Sequence, residues 1–283
     1  MKRTVPSNLY KPQILSGQNQ RQPLEVAQPG RHTHFDLPAD RMSDWHAEGM
    51  LMSHFLNTMS IMAPPVERFI MSSTLYFQCR TDHPQIRQRV MDLMSQEAAH
   101  RRVHSHYNRL LGEAGLPAAQ LERQVEKLLK TALSGRWVSP SFRLAVVLML
   151  EHYAALMAQM TLDRPESIND SLSGFKQLWL WHAHEEVAHK SVAYDLWINA
   201  VGRGTKAYLL RTGAFVLVGI PAVITAMVIF TALLAAERSR RLDAHSVWRF
   251  LKAMLGPQGV FPTIAPGWLR YFLPNFHPDR QDI

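Results

Sequence analysis

Two stretches of this chain carry the same four-residue pattern, Glu97-Ala98-Ala99-His100 and Glu186-Val187-Ala188-His189. On a helix, residues three apart share a face, so each stretch presents a carboxylate beside an imidazole. His182 stands four residues before Glu186 and falls on the same stripe, in His182-Ala183-His184-Glu185-Glu186-Val187-Ala188-His189. The tryptophan, leucine and alanine around it suggest a buried helix. A buried stripe holding a carboxylate and two imidazoles is costly unless a positive charge compensates it. A metal ion is the simplest such charge.

Two lone carboxylates, Glu67 and Glu151, also sit inside otherwise apolar helical patterns. Ferritin-like di-metal bundles draw a Glu-x-x-His pair from each of two helices and a single Glu from each of the other two. Depth offers a separate check, because residues of an antiparallel hairpin meet only when equally far from its turn. Glu67 and Glu97 lie symmetrically about residue 82, inside Thr81-Asp82-His83-Pro84. Glu151 and Glu186 lie symmetrically about the junction of residues 168 and 169, near the break that begins at Asp163-Arg164-Pro165. Both hairpins bring their carboxylates to one level, roughly 20 to 26 Å from the turns at ~1.5 Å per residue.

The expected metal ligands are therefore Glu67, Glu97, His100, Glu151, His182, Glu186 and His189, with His104 as a possible addition. His104 follows Glu97 by seven residues and returns to the same face. His184, Glu185 and His152 fall off the stripe and are expected behind the ligands or at the surface. Asp195 could orient a ligating histidine from another helix. Oxygen and imidazole donors suit a pair of iron ions, with manganese or zinc as alternatives.

The elements that must carry these residues are all helical, since nothing alternates with period two and no tandem repeat is visible. A first helix, capped by Asp40 or Ser43, carries Trp45, Met50, Leu51, Phe55 and Leu56 and is expected to break at Pro64-Pro65. Pro65 opens the next helix, through Phe77. Others follow from about Pro84 to Leu111, from 118 to 134, from Ser139-Pro140 to Leu162, and from between 167 and 171 to between 200 and 204. Residues 1 to 38, rich in Pro, Gln, Asn and Arg, read as a disordered arm. Residues 39 to 204 read as the di-metal bundle, and 205 to 283 as a membrane-associated segment.

At these residues the chain resembles the family of predicted metal-dependent hydrolases. The resemblance rests on Gln96-Glu97-Ala98-Ala99-His100, on Leu150-Glu151-His152-Tyr153, and on Trp179-Leu180-Trp181-His182-Ala183-His184-Glu185-Glu186. Phe276-His277-Pro278 is similar to the family's ending, and the likeness spans about residues 35 to 280. It implies a ferritin-like four-helix bundle with a metal-dependent activity. The ligand pattern alone is also similar to di-iron N-oxygenases of the p-aminobenzoate type, which implies four carboxylates and three histidines around two irons.

From Thr212 to Ala236 no residue is charged. As a helix this segment reaches ~37 Å, enough to cross a bilayer core of about 30 Å, and it is expected to span the membrane. A re-entrant or in-plane course is the alternative, because Arg203, Lys206 and Arg211 flank one side and Arg238, Arg240, Arg241 and Arg249 the other. Beyond it, Trp248, Phe250, Phe261, Trp268, Tyr271 and Phe272 suggest an aromatic platform at the membrane interface. The net charge of +8 combines with this apolar stretch to favour anionic lipid as a partner. No zinc-finger spacing, aromatic-basic pattern or helix-turn-helix is present, so nucleic acid is not expected. Cys79 is the only cysteine, which suits a reducing compartment, and the first residues lead into no apolar signal run.

The expected protein is thus an all-α, membrane-associated di-metal carboxylate enzyme at the inner membrane, with its metal domain on the cytoplasmic side. It would use dioxygen and an electron donor to oxidise an apolar small molecule or lipid. The alternative is hydrolysis, with the ions activating a bridging water and polarising a carbonyl or phosphoryl group. A non-catalytic metal-binding membrane protein is a third reading. The sequence leaves the oligomeric state open.

Overall fold

The computed structural model describes residues 34–237 and 242–280 and, among them, contains helices and no strand. Five long or medium helices form the body: α1 (Met50–Gln78), α2 (Pro84–Glu113), α3 (Ala118–Leu133), α4 (Pro140–Asp163) and α5 (Ser173–Ala200). α1 packs on α2 and α4 on α5 as antiparallel hairpins, while α3 lies against α1 and α2. The chain continues through α6 (Thr205–Ala214), a π-helical turn at Phe215–Gly219, α7 (Ile220–Ala236), α8 (Ala244–Leu255) and α9 (Val260–Tyr271).

Local chemistry accounts for the boundaries. Pro84 and Pro140 stand in the first turns of α2 and α4, where a missing N–H costs nothing. Ser139 Oγ accepts the Phe142 amide at 3.2 Å and caps α4. Leu144 to Met149 are buried all round α4, which makes it the central helix of the bundle. Each of its larger apolar side chains contributes roughly 1.5–3 kcal/mol by leaving water.

The expected break at Pro64-Pro65 does not occur, and α1 runs straight through both prolines. Pro64 has no N–H for the carbonyl of Ser60, one turn earlier. Asn108 of α2 supplies the missing donor, with its Nδ2 3.0 Å from that carbonyl. The first helix also begins later than its candidate caps suggest. Residues 42–48 form turns, and Gly49, at φ 90°, takes the left-handed conformation that leads into α1. Trp45 is therefore not helical; it stacks on Phe175 of α5 at 4.8 Å.

The arm expected to be disordered lies, up to residue 33, outside the described residues. Residues 34–38 are corrected: Phe35 and Leu37 are buried, and the Phe35 ring lies 5.6 Å from that of Trp181. The aromatic platform is also corrected. Tyr271 is fully buried and stacks on His152, and the half-buried Trp268 stacks on Tyr153, so these two rings face the protein, whereas Phe250 stacks on Phe230 of α7 and Trp248 is 64% exposed. The basic flank at Arg238, Arg240 and Arg241 lies outside the described residues.

Among the described residues, two helical stretches are long and apolar enough to cross a membrane, α4 and Thr205–Ala236. α4 is a core helix, with 61% of its apolar window buried; the other window has a mean hydropathy of 2.5 and is only 11% buried.

Candidate metal centre

The four helices of the two hairpins deliver their polar residues to one level. α1 brings Glu67, α2 brings Glu97 and His100, α4 brings Glu151, and α5 brings His182, Glu186 and His189. Six of these are buried; the His182 side chain keeps 17% exposure and forms the cluster's most open edge.

The donor atoms fall into three overlapping groups, each spanning no more than 4.8 Å. Glu97, Glu151, Glu186 and His189 make one, Glu67, Glu97 and His100 the second, and His100, His182 and Glu186 the third. Glu97, His100 and Glu186 thus each belong to two groups, and of these three the two carboxylates have a second oxygen with which to bridge. His189 Nδ1 lies 3.0 Å from Glu97, 3.5 Å from Glu186 and 3.6 Å from Glu151. His100 Nδ1 and His182 Nε2 approach Glu186 Oε1 at 3.2 and 3.3 Å.

Each of the three histidines turns one nitrogen inward and has the other held from outside. His100 Nε2 donates to Glu185 Oε2 at 2.8 Å. His189 Nε2 donates to Gln96 Oε1 at 3.0 Å. His182 Nδ1 faces His104 Nε2 at 3.2 Å. Support of this kind behind an imidazole orients the ring and strengthens the inward lone pair.

The electrostatics of the cluster call for a cation. Both oxygens of Glu67, Glu97 and Glu151 are buried without a hydrogen bond among the described residues, although the latter two lie at ion-pair distance from His189. Burial, reinforced by Glu97, pushes the Glu67 carboxyl well above its usual pKa. Burial also lifts Glu151, to about 8. Burial disfavours charge on His100, but its bonds to Glu185 and Glu186 prevail and hold it at about 10. Burial likewise opposes ionisation of Glu186 and His189; their mutual attraction overcomes it, lowering the former's pKa and raising the latter's. Protons neutralise Glu67 and Glu151 here, and a divalent cation would displace them. Carboxylate and imidazole donors without thiolate fit such an ion.

His104 belongs to none of the three groups. Burial pushes its pKa down to about 3, and its nitrogens face Ser60 and His182. His152 donates through Nε2 to the Gly267 carbonyl of α9, and His184 is exposed. Asp195 pairs with Arg89 at the surface instead of orienting a ligating histidine. Supporting roles for Gln96, Ser60 and Asn108 were not expected. Their signal was the stripe itself: Ser60 precedes Glu67 by two turns, and Asn108 follows His104 by one.

Fold and site together define a helical-bundle protein with a buried carboxylate–imidazole cluster suited to metal. The chain belongs to the family described as predicted metal-dependent hydrolase, whose family model matches residues 29–282. Comparison with curated proteins and with solved structures found no match.

Proposed function

We propose that this protein is a di-iron carboxylate enzyme that uses dioxygen to oxidise an apolar substrate at a membrane surface. The observation that carries this reading is the sharing of Glu97 and Glu186 between neighbouring donor groups, as a pair of adjacent ions would require. Two carboxylate helices and two Glu-x-x-His helices are the arrangement of ferritin-like di-metal proteins. Glu97, Glu151, Glu186 and His189 would hold one ion, and Glu67, His100 and His182, with Glu97 and Glu186, the other. Iron held by these residues would supply electrons for dioxygen activation, with a separate donor to replenish them. The chain's own part is to neutralise the ions, to fix the imidazoles through Glu185, Gln96 and His104, and to exclude water. Trp181, edge-on to His100 at 4.9 Å, contributes to that exclusion.

The membrane part of the reading rests on Thr205–Ala236. This stretch lies lengthwise against α4 and α1. Near its start the Arg211 guanidinium donates to the carbonyls of Tyr271 and Leu273; just past its end Glu237 meets His54 of α1 at 3.2 Å. Fastened at both ends, it presents Leu209, Val216, Leu217, Ile220, Ile224, Met227 and Val228 outward at helical spacing. Phe230 stacks on Phe250 at 5.5 Å, which joins this face to Trp248, Leu251 and Leu255 of α8. A helix bound along the bundle supports an in-plane dock better than a free span.

Hydrolysis is the second reading, and the family description favours it. One preparation separates the two. Purified protein is assayed for metal, reduced without oxygen, then mixed with oxygenated buffer while its absorbance is followed. About two irons per chain and oxygen uptake tied to an absorbance change support the oxidase reading. Zinc in place of iron, no oxygen uptake, and turnover of a generic ester or phosphoester overturn it in favour of hydrolysis.

A further inference from the structure

Pro64 sits three residues from Glu67 inside α1, and its effect can be followed atom by atom to a histidine on α5. Because Pro64 has no N–H, the Ser60 carbonyl takes its hydrogen bond from Asn108 Nδ2, at 3.0 Å. The same Nδ2 lies 2.9 Å from Glu122 Oε2. A carbonyl oxygen only accepts, so the amide orientation of Asn108 is settled, and its Oδ1 faces the Ser60 hydroxyl at 2.9 Å. The hydroxyl hydrogen is committed to that Oδ1. Ser60 Oγ can then only accept from the atom on its other side, His104 Nδ1, at 2.9 Å.

His104 therefore carries its proton on Nδ1. Neutral and buried, it is left with an acceptor at Nε2, and the atom facing that nitrogen is His182 Nδ1 at 3.2 Å. His182 must then be the Nδ1–H tautomer, with its lone pair on Nε2, the atom that approaches Glu186. The direction of every bond in this chain follows from the two acceptor-only oxygens, of the Ser60 carbonyl and the Glu122 carboxylate, that fix the Asn108 amide.

We propose that His104 is a positioning residue, held by Ser60 and Asn108, that locks His182 in the tautomer able to ligate through Nε2. This inference rests on the metal-centre reading and adds to it a role for buried residues outside the ligand set. His104 does not touch the ion. It acts on one of the two ion positions, the one His182 serves, and leaves the position of Glu151 and His189 alone.

The test is titration of the metal-free full-length protein with Co(II) alone, followed by visible absorbance, with helical circular dichroism as a check on folding. Wild type is expected to take up cobalt in separable tighter and weaker phases. His104→Leu should weaken one phase by about 10- to 100-fold and leave the other within a factor of about 2. His104→Gln, whose side-chain oxygen can accept from His182, should recover most of the loss. Ser60→Ala, a smaller change, should weaken the same phase by a lesser factor, and it decides the question if His104→Leu does not fold. Unchanged binding in the folded variants overturns the proposal, as does equal weakening of both phases with helicity intact. A wild type that binds no cobalt overturns the metal centre itself, and the positioning role with it.

Discussion

His189 of α5 places its Nδ1 3.0 Å from Glu97 Oε1 of α2, joining the two Glu-x-x-His pairs across the bundle. Glu97 also groups with Glu67 and His100 on its other side. Its carboxylate is the hinge of the cluster, and it has no hydrogen bond among the described residues to hold it there.

Removing Glu97 should therefore cost more metal than removing Glu67. Glu97→Ala takes a donor from both groups it joins, and bound metal should fall from about two ions per chain to nearly none. Glu67→Ala takes a donor from one group, and about one ion should remain. Elemental analysis of purified variants, normalised to protein, checks this. Equal losses from both variants would refute a shared Glu97.

Gly174 tests how the segment before α1 is tied to the site-bearing helix. A Cβ at Gly174 would come 1.7 Å from the carbonyl oxygen of Asp36, a backbone atom that cannot step aside alone. Gly174→Ala should push residues 34–38 off α5, expose Phe35 and Leu37, and destabilise the fold by about 1–3 kcal/mol. The urea midpoint reports the loss, while Gly112→Ala, with nothing within 4 Å of its added carbon, should not lower it through a clash.

These contacts show where the sequence was legible and where it was not. The level at which Glu67, Glu97, Glu151 and Glu186 meet depends only on helix rise and turn position, both readable in the chain. The continuity of α1 through Pro64 depends on Asn108, a residue 44 positions away on α2, which supplies the missing donor. No local rule contains that contact. Glu185 and Gln96 adjoin expected ligands in sequence, yet their use became apparent only when α2 and α5 faced each other. The inward turn of Trp268 and Tyr271 depends likewise on α9 packing against α4.

His46 should make the fold sensitive to mild acid. It is buried; its Nδ1 accepts the Glu48 amide at 3.0 Å, and burial pushes its pKa down to about 4. The unfolded chain binds the proton near pH 6.5 and the folded chain does not, so stability is full above about 6.5 and declines as pH falls toward 4. The loss amounts to roughly 3 kcal/mol over that window. His46→Asn keeps an acceptor for the amide but cannot titrate. Urea midpoints of the two proteins from pH 7 to 4.5 should diverge, with wild type falling more steeply; parallel curves would remove His46 as the cause.

The outward face of Thr205–Ala236 should carry the membrane contact independently of the metal. Leu217 is 67% exposed and Ile224 58%, two turns apart on that face, whereas Ala207, Ala214 and Leu233 of the same stretch are buried. Charges placed at the outer positions would meet lipid if this face docks as proposed, and they leave the bundle contacts alone. Leu217→Glu with Ile224→Glu should cut co-sedimentation with anionic phospholipid vesicles by at least about tenfold, since burying a carboxylate in the acyl region costs more than 1.4 kcal/mol. Metal content and helicity should stay at the wild-type level. Met91→Glu, on the exposed side of α2, changes net charge by one unit away from this face and should leave most vesicle binding intact. If the double variant binds vesicles as wild type does, the apolar face serves another occupant, and a second copy of the chain becomes the one to test by sedimentation velocity.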